Sequence, residues 1–300
     1  MSTNEHRLVM CGCHISGYWI IKGLLEEGVT IQYFVTLNPQ QAKHNSVAGY
    51  FDFSDLAKKF SIPVYYPEDY ALQSDKDVLF FKENRFDLMI PGGWQRLFPD
   101  NILENLKIGA LGIHGSPDFL PKGRGRSPLN WSLIQGKKRF ISHLFFLKPG
   151  VDDGDIIDTE MFDINEFDDI STLYMKNALS ARKMILKNLQ GVLSGTVETR
   201  SQQGVPSYYK KRIPEDGLID WETMDVWEIY NFVRGQTHPY PGAYGRINEK
   251  MRRIWHCQVF DTKITFPDAK YGECVESIDN KLIINCLGGL LLVDEYEEFS

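Results

Sequence analysis

The sequence predicts an α/β protein. It indicates an N-terminal domain with a Rossmann-like, mostly parallel sheet, followed by a smaller C-terminal domain that is an OB-like β-barrel. Patterns of buried strands alternate with helical patterns through most of the chain, an order typical of β-α-β units. The C-terminal part instead carries short alternating segments separated by turns, which indicates a small barrel. The turn-rich sequence around residue 204 marks the predicted boundary, which gives domains of residues 1–203 and 204–300.

The N-terminal domain opens on a predicted β-α-β unit. Residues 7–12 contain a continuous apolar run and predict a buried strand, a helical period then extends to Gly28, and residues 31–37 predict the second strand. The loop after the first strand keeps the first and last glycines of a dinucleotide-binding turn, Gly12 and Gly17, but lacks the middle one. No acid ends the second strand. These two departures disfavour a nicotinamide-binding site.

The remaining elements continue this alternation. Helical patterns cover residues 53–60, with Ser54 as a candidate cap, 74–84 and 171–189, and residues 191–196 are expected to end the last of these helices. Strand patterns of the N-terminal domain cover residues 62–65, 86–90 and 141–147. Those of the C-terminal domain cover residues 254–260, 273–278, 281–286 and 290–296.

Composition limits the partners that this chain is expected to have. It holds 300 residues, 43% of them hydrophobic, with a formal net charge of −7 and no long run of one sign. Nucleic-acid-binding proteins normally carry a basic surface, so no nucleic acid is favoured as a partner. Five cysteines, an odd number, argue against a disulfide framework. There is no signal-peptide pattern and no apolar run near the ~18 residues that span a bilayer, so we expect a cytoplasmic protein without a membrane partner.

The most informative stretch spans residues 111–158. His114 lies in a Gly-rich turn after a short apolar run, and a loop rich in Pro and Gly follows over residues 117–128. A predicted strand then leads into an acidic turn made of Val151, Asp152, Asp153, Gly154 and Asp155. A histidine and a carboxylate at the ends of buried strands can act as a proton-transfer pair. Three acids on one short turn are weak grounds for a metal site, and we expect none.

This stretch resembles the formyltransferase family that uses 10-formyltetrahydrofolate. The matching residues are His114, Ser116, Leu120, Pro121, Arg124, Gly125, Pro128, Asp152, Gly154 and Asp155. Residues 212–221 and 234–243 resemble the hinge and C-terminal region of methionyl-tRNA formyltransferases and their amino-sugar relatives. The resemblance therefore covers nearly the whole chain. It implies a one-carbon group transferase with 10-formyltetrahydrofolate as co-substrate.

The resemblance also implies roles for individual residues. His114 and Asp152 match the catalytic pair, in which the histidine moves a proton and the carboxylate orients it. Folate contacts are implied for Gly92, Gly93, Trp94, Ser116, Leu120, Pro121, Val151 and Asp155. Substrate contacts are implied for His14, Gly17, Arg124 and Gly125. The residues alone leave two alternatives open, because His14 could equally cap a helix and Trp94 could be a core aromatic.

Gly112 departs from the family pattern. The family asparagine at this position would donate a hydrogen bond to the developing oxyanion, and such a donor is commonly worth ~3 kcal/mol of transition-state stabilisation. Three outcomes are open: another donor substitutes, the enzyme is slow, or the protein only binds its ligands. The candidates for a substitute are Asn130, Ser116, a backbone N–H group and water. Our hypothesis is substitution, with Asn130 as a catalytic residue, because the histidine and the aspartate are both present.

The favoured substrate is the primary amine of a nucleotide-linked amino sugar, a small molecule. Methionyl-tRNA formyltransferases carry a basic insertion after the second strand, whereas residues 38–50 here contain Lys43 as their one fixed cation. Two alternatives remain: methionyl-tRNA formyl transfer, and a non-catalytic protein that binds folate or nucleotide. A nicotinamide dehydrogenase is a distant third. The sequence allows a homodimer and does not identify the sugar, the base or the amine position.

Overall fold

The computed structural model describes residues 6–299, and the chain divides into two compact units. The N-terminal unit comprises Met1–Gly125, Ile141–Phe162 and Tyr174–Tyr208. The C-terminal unit comprises Arg126–Phe140, Asp163–Leu173 and Tyr209–Ser300. Two segments from the middle of the chain thus group with the C-terminal residues, an exchange that local sequence patterns do not predict.

The N-terminal unit is built on a seven-stranded sheet. Its seven strands are β1 (Leu8–Gly12), β2 (Tyr33–Val35), β3 (Val64–Tyr65), β4 (Leu88–Gly92), β5 (Gly109–Ser116), β7 (Arg139–Phe146) and β8 (Ile156–Asp163). Two further short strands are β6 (Arg124–Gly125) and β9 (Tyr208–Tyr209). The sheet has the order β3-β2-β1-β4-β5-β7-β8, and β6 pairs with β9 in a separate two-stranded sheet. The pairs from β3 to β5 are parallel, and β7 runs antiparallel to β5. The predicted Rossmann-like, mostly parallel sheet is confirmed.

Helices flank this sheet. In chain order they are α1 (Ile15–Glu26), α2 (Pro39–His44), α3 (Ser54–Lys59), α4 (Asp75–Asn84), α5 (Asp100–Leu103) and, after the helix α6 (Pro128–Ile134) of the C-terminal unit, α7 (Ile170–Ser194). The main core packs α1 and α7 against β1, β4 and β5 through buried aliphatic side chains such as Ile21, Met184 and Ile185. Ser54 begins α3 and is not its cap, because the cap position is Phe53. None of the helices within residues 6–299 is long and apolar enough to cross a membrane.

The long helix ends within the predicted stop segment, residues 191–196, but it extends past the predicted last residue, Leu189. Helix α7 continues through Gly191 to Ser194. Val192 and Leu193 are buried in the main core, and burying two aliphatic side chains outweighs the ~1 kcal/mol that a glycine costs inside a helix. Gly195, at φ +71°, has the left-handed conformation that commonly follows the last helical turn.

The C-terminal unit contains a five-stranded antiparallel sheet. Its helix and strands are α8 (Val226–Arg234), β10 (Ala243–Ile247), β11 (Lys250–Asp261), β12 (Cys274–Ile278), β13 (Lys281–Cys286) and β14 (Gly289–Glu298), preceded by a 3₁₀ helix (Pro214–Gly217). The sheet order is β10-β11-β14-β13-β12. Helix α8 buries Ile229 and Val233 in the core of this unit. A smaller antiparallel β domain is confirmed.

Candidate active site

The pairing of β5 with β7 fixes His114 at the centre of the candidate site. The loop after β5 brings the Gly123 carbonyl to 2.8 Å from Nε2 of His114. Because a carbonyl oxygen only accepts hydrogen bonds, Nε2 donates and carries a hydrogen. Nδ1 then faces the Asp152 carboxylate, with 3.5 Å between Nδ1 and Oδ2. The His114 side chain is 9% exposed, so a reacting group can reach this ring while most water is kept away.

Asp152 is held toward His114 by its backbone and by Gly125. Its φ of +50° places it in the left-handed region. Its Oδ2 accepts a hydrogen bond of 3.0 Å from the Gly125 N–H, and its side chain is 21% exposed. The structure therefore brings together the histidine and the aspartate that the sequence predicts as a pair.

Gln202 is a site residue that sequence reasoning missed. Its Nε2 donates to the carbonyl oxygens of Asp152, at 2.8 Å, and Gly154, at 2.9 Å. Its Oε1 accepts from Nη2 of Arg124 at 2.7 Å. One amide thus braces the acidic turn and an arginine of the preceding loop. Gln202 lies near the predicted domain boundary, about fifty positions beyond the motif, where no spacing signal marks it.

The space beside Gly112 is filled by aromatic and aliphatic atoms. A Cβ added at Gly112 would lie 2.7 Å from the ring of Phe145 and 2.8 Å from Cδ2 of Leu147. Phe145 is directly opposite Gly112 in the β5–β7 ladder and is buried. An asparagine side chain therefore has no room here with the present neighbours. The departure from the family pattern is built into the packing of the strand pair.

Two of the candidate substitute donors already have hydrogen bonds. The Asn130 amide donates to the Gly235 carbonyl at 2.8 Å and is buried in the C-terminal unit. The Ser116 hydroxyl lies 2.6 Å from the Asp118 carbonyl oxygen and 2.8 Å from that of Lys122, and it accepts from the Asp118 N–H. Each side chain therefore holds local structure, and the catalytic role of Asn130 stays a prediction.

Comparison with known proteins identifies the family. The family model "Formyl transferase" matches residues 42–189, and "Formyl transferase, C-terminal domain" matches residues 211–298. The chain belongs to the formyl transferase family. The reaction of this family is formyl transfer, and its co-substrate is formyl-tetrahydrofolate.

Several curated proteins resemble this formyltransferase over most of its length. It is 30% identical over 230 residues to a methionyl-tRNA formyltransferase of Staphylococcus epidermidis. These residues make up 76% of this chain and 71% of that protein. The Bacillus subtilis methionyl-tRNA formyltransferase is 27% identical over 94% of this chain and 86% of its own. The bifunctional polymyxin resistance protein ArnA of Wigglesworthia glossinidia brevipalpis is 30% identical over 93% of this chain. The formyltransferase spans 41% of the length of that bifunctional protein.

Solved structures share the fold. HypX from Aquifex aeolicus, in complex with tetrahydrofolic acid, matches with a TM-score of 0.71 at 16% identity, over 98% of this chain and 44% of that one. An N-formyltransferase from Helicobacter canadensis matches with a TM-score of 0.68 at 16% identity, over 97% of this chain and 100% of that one. At this level of identity the likeness concerns the fold alone.

The predicted folate turn of this formyltransferase packs against the first loop. A Cβ on Gly12 or Gly17 would lie about 2 Å from the carbonyl oxygen of Gly92. Gly93, at φ +78°, would place a Cβ 2.5 Å from that of His14. The glycines are thus required where two loops meet, and a further contact to the pterin stays a prediction. Trp94 stacks on Phe98 and packs edge-on against Tyr70, as a core aromatic does.

The other predicted folate residues border the histidine and the acidic turn. Leu120 is buried with Phe145 and Ile156, and Leu120 and Pro121 are joined by a cis peptide bond. Val151 is 37% exposed on the acidic turn. Asp155 accepts hydrogen bonds from Lys148 at 2.9 Å and Ser201 at 3.0 Å, and the bond from Lys148 holds the pKa of Asp155 below its usual range. Apolar and polar groups therefore flank the pair, as a folate ligand requires.

The predicted substrate residues fall into two groups. His14 caps α1, because its Nδ1 accepts from the Ser16 N–H at 3.2 Å, and burial lowers the pKa of His14 to about 4. Its ring also packs edge-on against Tyr174. Arg124 and Gly125 lie instead beside the acidic turn, on Gln202 and Asp152. Helix capping, the alternative left open for His14, is what the structure shows, and its contact with substrate stays a prediction.

Across residues 6–299 there is no cluster of three or more His, Cys, Asp or Glu side chains arranged to hold a metal ion. Cys13 is buried directly after β1, and burial raises the pKa of its thiol to about 11. A thiol with so high a pKa is a poor nucleophile at neutral pH.

Proposed function

We propose that this formyltransferase moves the formyl group of 10-formyltetrahydrofolate to the primary amine of a nucleotide-linked amino sugar. The observation that carries the chemistry is the imidazole of His114, with Nε2 fixed on the Gly123 carbonyl and Nδ1 turned to Asp152. The observation that carries the substrate class is charge. The chain has a net charge of −7, and residues 38–50 hold Lys43 as their one fixed cation.

The reaction needs one proton to be moved. The amine nitrogen attacks the formyl carbon, and the electrons of the carbonyl bond move to its oxygen. Nδ1 of His114 takes a proton from the attacking nitrogen and returns it to N10 of the folate as the bond between N10 and the formyl carbon breaks. The products are a formamide and tetrahydrofolate. Asp152, 3.5 Å from Nδ1, stabilises the imidazolium that exists between the two transfers.

Structural neighbours support the amino-sugar assignment. The Helicobacter canadensis protein was solved with folinic acid and dTDP-3-aminofucose, and it matches nearly the full length of both chains. WlaRD, a sugar 3N-formyltransferase solved with dTDP and 5-N-formyltetrahydrofolate, matches with a TM-score of 0.64 over 98% of this chain. Both neighbours thus combine a fold shared over nearly this whole chain with a nucleotide ligand.

The second candidate substrate is methionyl-tRNA. It is favoured by sequence relatives, since methionyl-tRNA formyltransferases are 26–30% identical to this chain. Salt separates the two substrates. A protein with six to ten phosphate contacts loses about 10³–10⁵ in affinity between 50 and 200 mM salt, whereas a nucleotide sugar presents few phosphates.

A panel assay tests the proposal. The protein is incubated with 10-formyltetrahydrofolate and with dTDP-, UDP- or GDP-linked amino sugars or methionyl-tRNA, and tetrahydrofolate release and product mass are followed at 50 and 200 mM salt. We expect a formylated nucleotide sugar and a kcat/KM that changes by less than about tenfold over this range. Turnover with methionyl-tRNA alone, with a steep loss in salt, would overturn the amino-sugar assignment. Folate binding without turnover on any amine would overturn catalysis itself.

A further inference from the structure

His143 lies directly across the strand ladder from His114. The register of β5 and β7 pairs these two residues, and side chains that are directly opposite point to the same face of a sheet with Cβ atoms about 5 Å apart. The imidazole of His143 is fully buried. Within residues 6–299, no group lies at hydrogen-bonding distance and angle to either ring nitrogen, although the backbone of His114 and that of Ile141 are near enough to interact weakly with the ring. A buried donor without a partner costs free energy, so a ligand atom that accepts a hydrogen bond from this imidazole would be bound favourably.

Few charges face the ring of His143. His114 approaches it from β5 and Arg200 from the segment after α7, and Arg200 is itself bonded to Oγ1 of Thr159 at 2.9 Å. The pKa of His143 is lowered to about 4, mainly by burial and to a smaller extent by the neighbouring His114. The ring is therefore neutral near pH 7. A neutral imidazole has one N–H donor and one acceptor.

Phe119 covers His143 on the side of the loop. The two ring centroids are 6.0 Å apart in an edge-on contact, and Phe119 is 58% exposed. The same loop supplies the Gly123 carbonyl that holds His114. A ligand atom that reaches the face of the sheet beside His114 therefore meets His143 once the Phe119 side chain moves aside.

His143 lies close to the position of the donor that is missing at Gly112. On this face of the sheet Gly112 is opposite Phe145, and His143 is the next residue along β7 that points the same way. Diagonal neighbours of this kind are about 7–8 Å apart, within reach of a long side chain. Phe145 excludes an asparagine at position 112, while His143 places an N–H group two positions away, without a partner at full hydrogen-bonding geometry.

We propose that His143 is a further catalytic residue, whose neutral imidazole N–H donates a hydrogen bond to the formyl oxygen as negative charge develops there. The electrons of the breaking carbonyl bond remain on that oxygen, and no proton is transferred from His143. The lowered pKa of His143 suits this role, because a neutral ring donates a hydrogen bond and does not take up the proton that His114 transfers. The inference rests on formyl transfer at His114 and leaves the identity of the amine open.

Three variants isolate the donor. His143→Phe removes the N–H and fills the space, His143→Asn keeps a donor, and Ser142→Ala is the control. Ser142 lies on the same strand, is as buried as His143 and also lacks a partner within the described residues, but it points to the opposite face. We expect kcat to fall by about 10²–10³ in His143→Phe with little change in KM, to recover at least partly in His143→Asn, and to be unchanged in Ser142→Ala. His143→Leu replaces the Phe variant if the larger ring prevents folding.

A spectroscopic measurement reads the same hydrogen bond without any amine. The stable analogue 10-formyl-5,8-dideazafolate, labelled with ¹³C in its formyl group, is bound to each variant, and the carbonyl stretch is followed by isotope-edited infrared difference spectroscopy. We expect a lower frequency in the wild type and in His143→Asn than in His143→Phe. A frequency that is identical in all variants, or a kcat of His143→Phe equal to that of the wild type, would overturn the inference. A frequency difference without turnover on any amino sugar would support the donor and count against the proposed substrate alone.

Discussion

Replacing His114 by glutamine lowers kcat for formyl transfer by about 10³-fold, the mid-range loss for a general acid–base group. The glutamine amide nitrogen reaches the position of Nε2 and can still donate to the Gly123 carbonyl, so the loop keeps its anchor. Glutamine cannot take a proton from the amine and return it to the folate nitrogen. The measurement is the initial rate of tetrahydrofolate release at saturating substrate, on whichever amine the wild type formylates.

The His114→Gln protein should unfold at the same urea concentration as the wild type. This control separates lost chemistry from lost structure, because the side chain is small, polar and partly exposed in both proteins. A rate within tenfold of the wild type, in a protein of equal stability, would contradict proton transfer by this imidazole.

The largest effect on stability is expected at the contact between Gly112 and Phe145. Phe145→Ala should cost about 3–5 kcal/mol of unfolding free energy, because it empties a fully buried site. Gly112→Asn should cost about 1–3 kcal/mol, since its Cβ meets the Phe145 ring at 2.7 Å. In the double variant the asparagine occupies the space that the ring has left. The combined cost should therefore be smaller than the sum by about 1–3 kcal/mol.

Urea unfolding of the two single variants and the double variant measures this coupling. Leu144→Ala gives a matched control, because Leu144 is equally buried on β7 but belongs to the main core on the other face of the sheet. The losses of unfolding free energy caused by Gly112→Asn and by Leu144→Ala should add in the double variant. Simple addition for Gly112→Asn with Phe145→Ala would show that the ring does not exclude the asparagine.

Local patterns predicted the parts of the site that a single segment contains. His114 and the acidic turn lie within one motif, and the alternation of buried strands with helices predicted the parallel sheet. In such a sheet the chain order and the right-handed crossovers leave few ways to arrange the strands. The predicted pair was therefore brought to 3.5 Å by a fold that the sequence indicates.

The contacts that complete the site come from pairing between distant segments. His143 and Phe145 matter because of their register opposite His114 and Gly112, and alternation within β7 does not specify which residue of β5 each one meets. Gln202 reaches Asp152 across fifty positions. Helix α7 continues past Gly191 because Val192 and Leu193 pack in the main core. Helix propensity alone does not include this stabilisation by tertiary packing.

The most direct test compares two neighbouring carboxylates. Asp152 and Asp153 are adjacent on one turn, but Oδ2 of Asp152 faces Nδ1 of His114, whereas the Asp153 carboxylate lies against Gly150. The measurement is kcat for formyl transfer in Asp152→Asn and Asp153→Asn. We expect a loss of about 10²-fold or more in Asp152→Asn and a rate close to that of the wild type in Asp153→Asn. Equal rates in the two variants would contradict the pairing of His114 with Asp152 as the centre of catalysis.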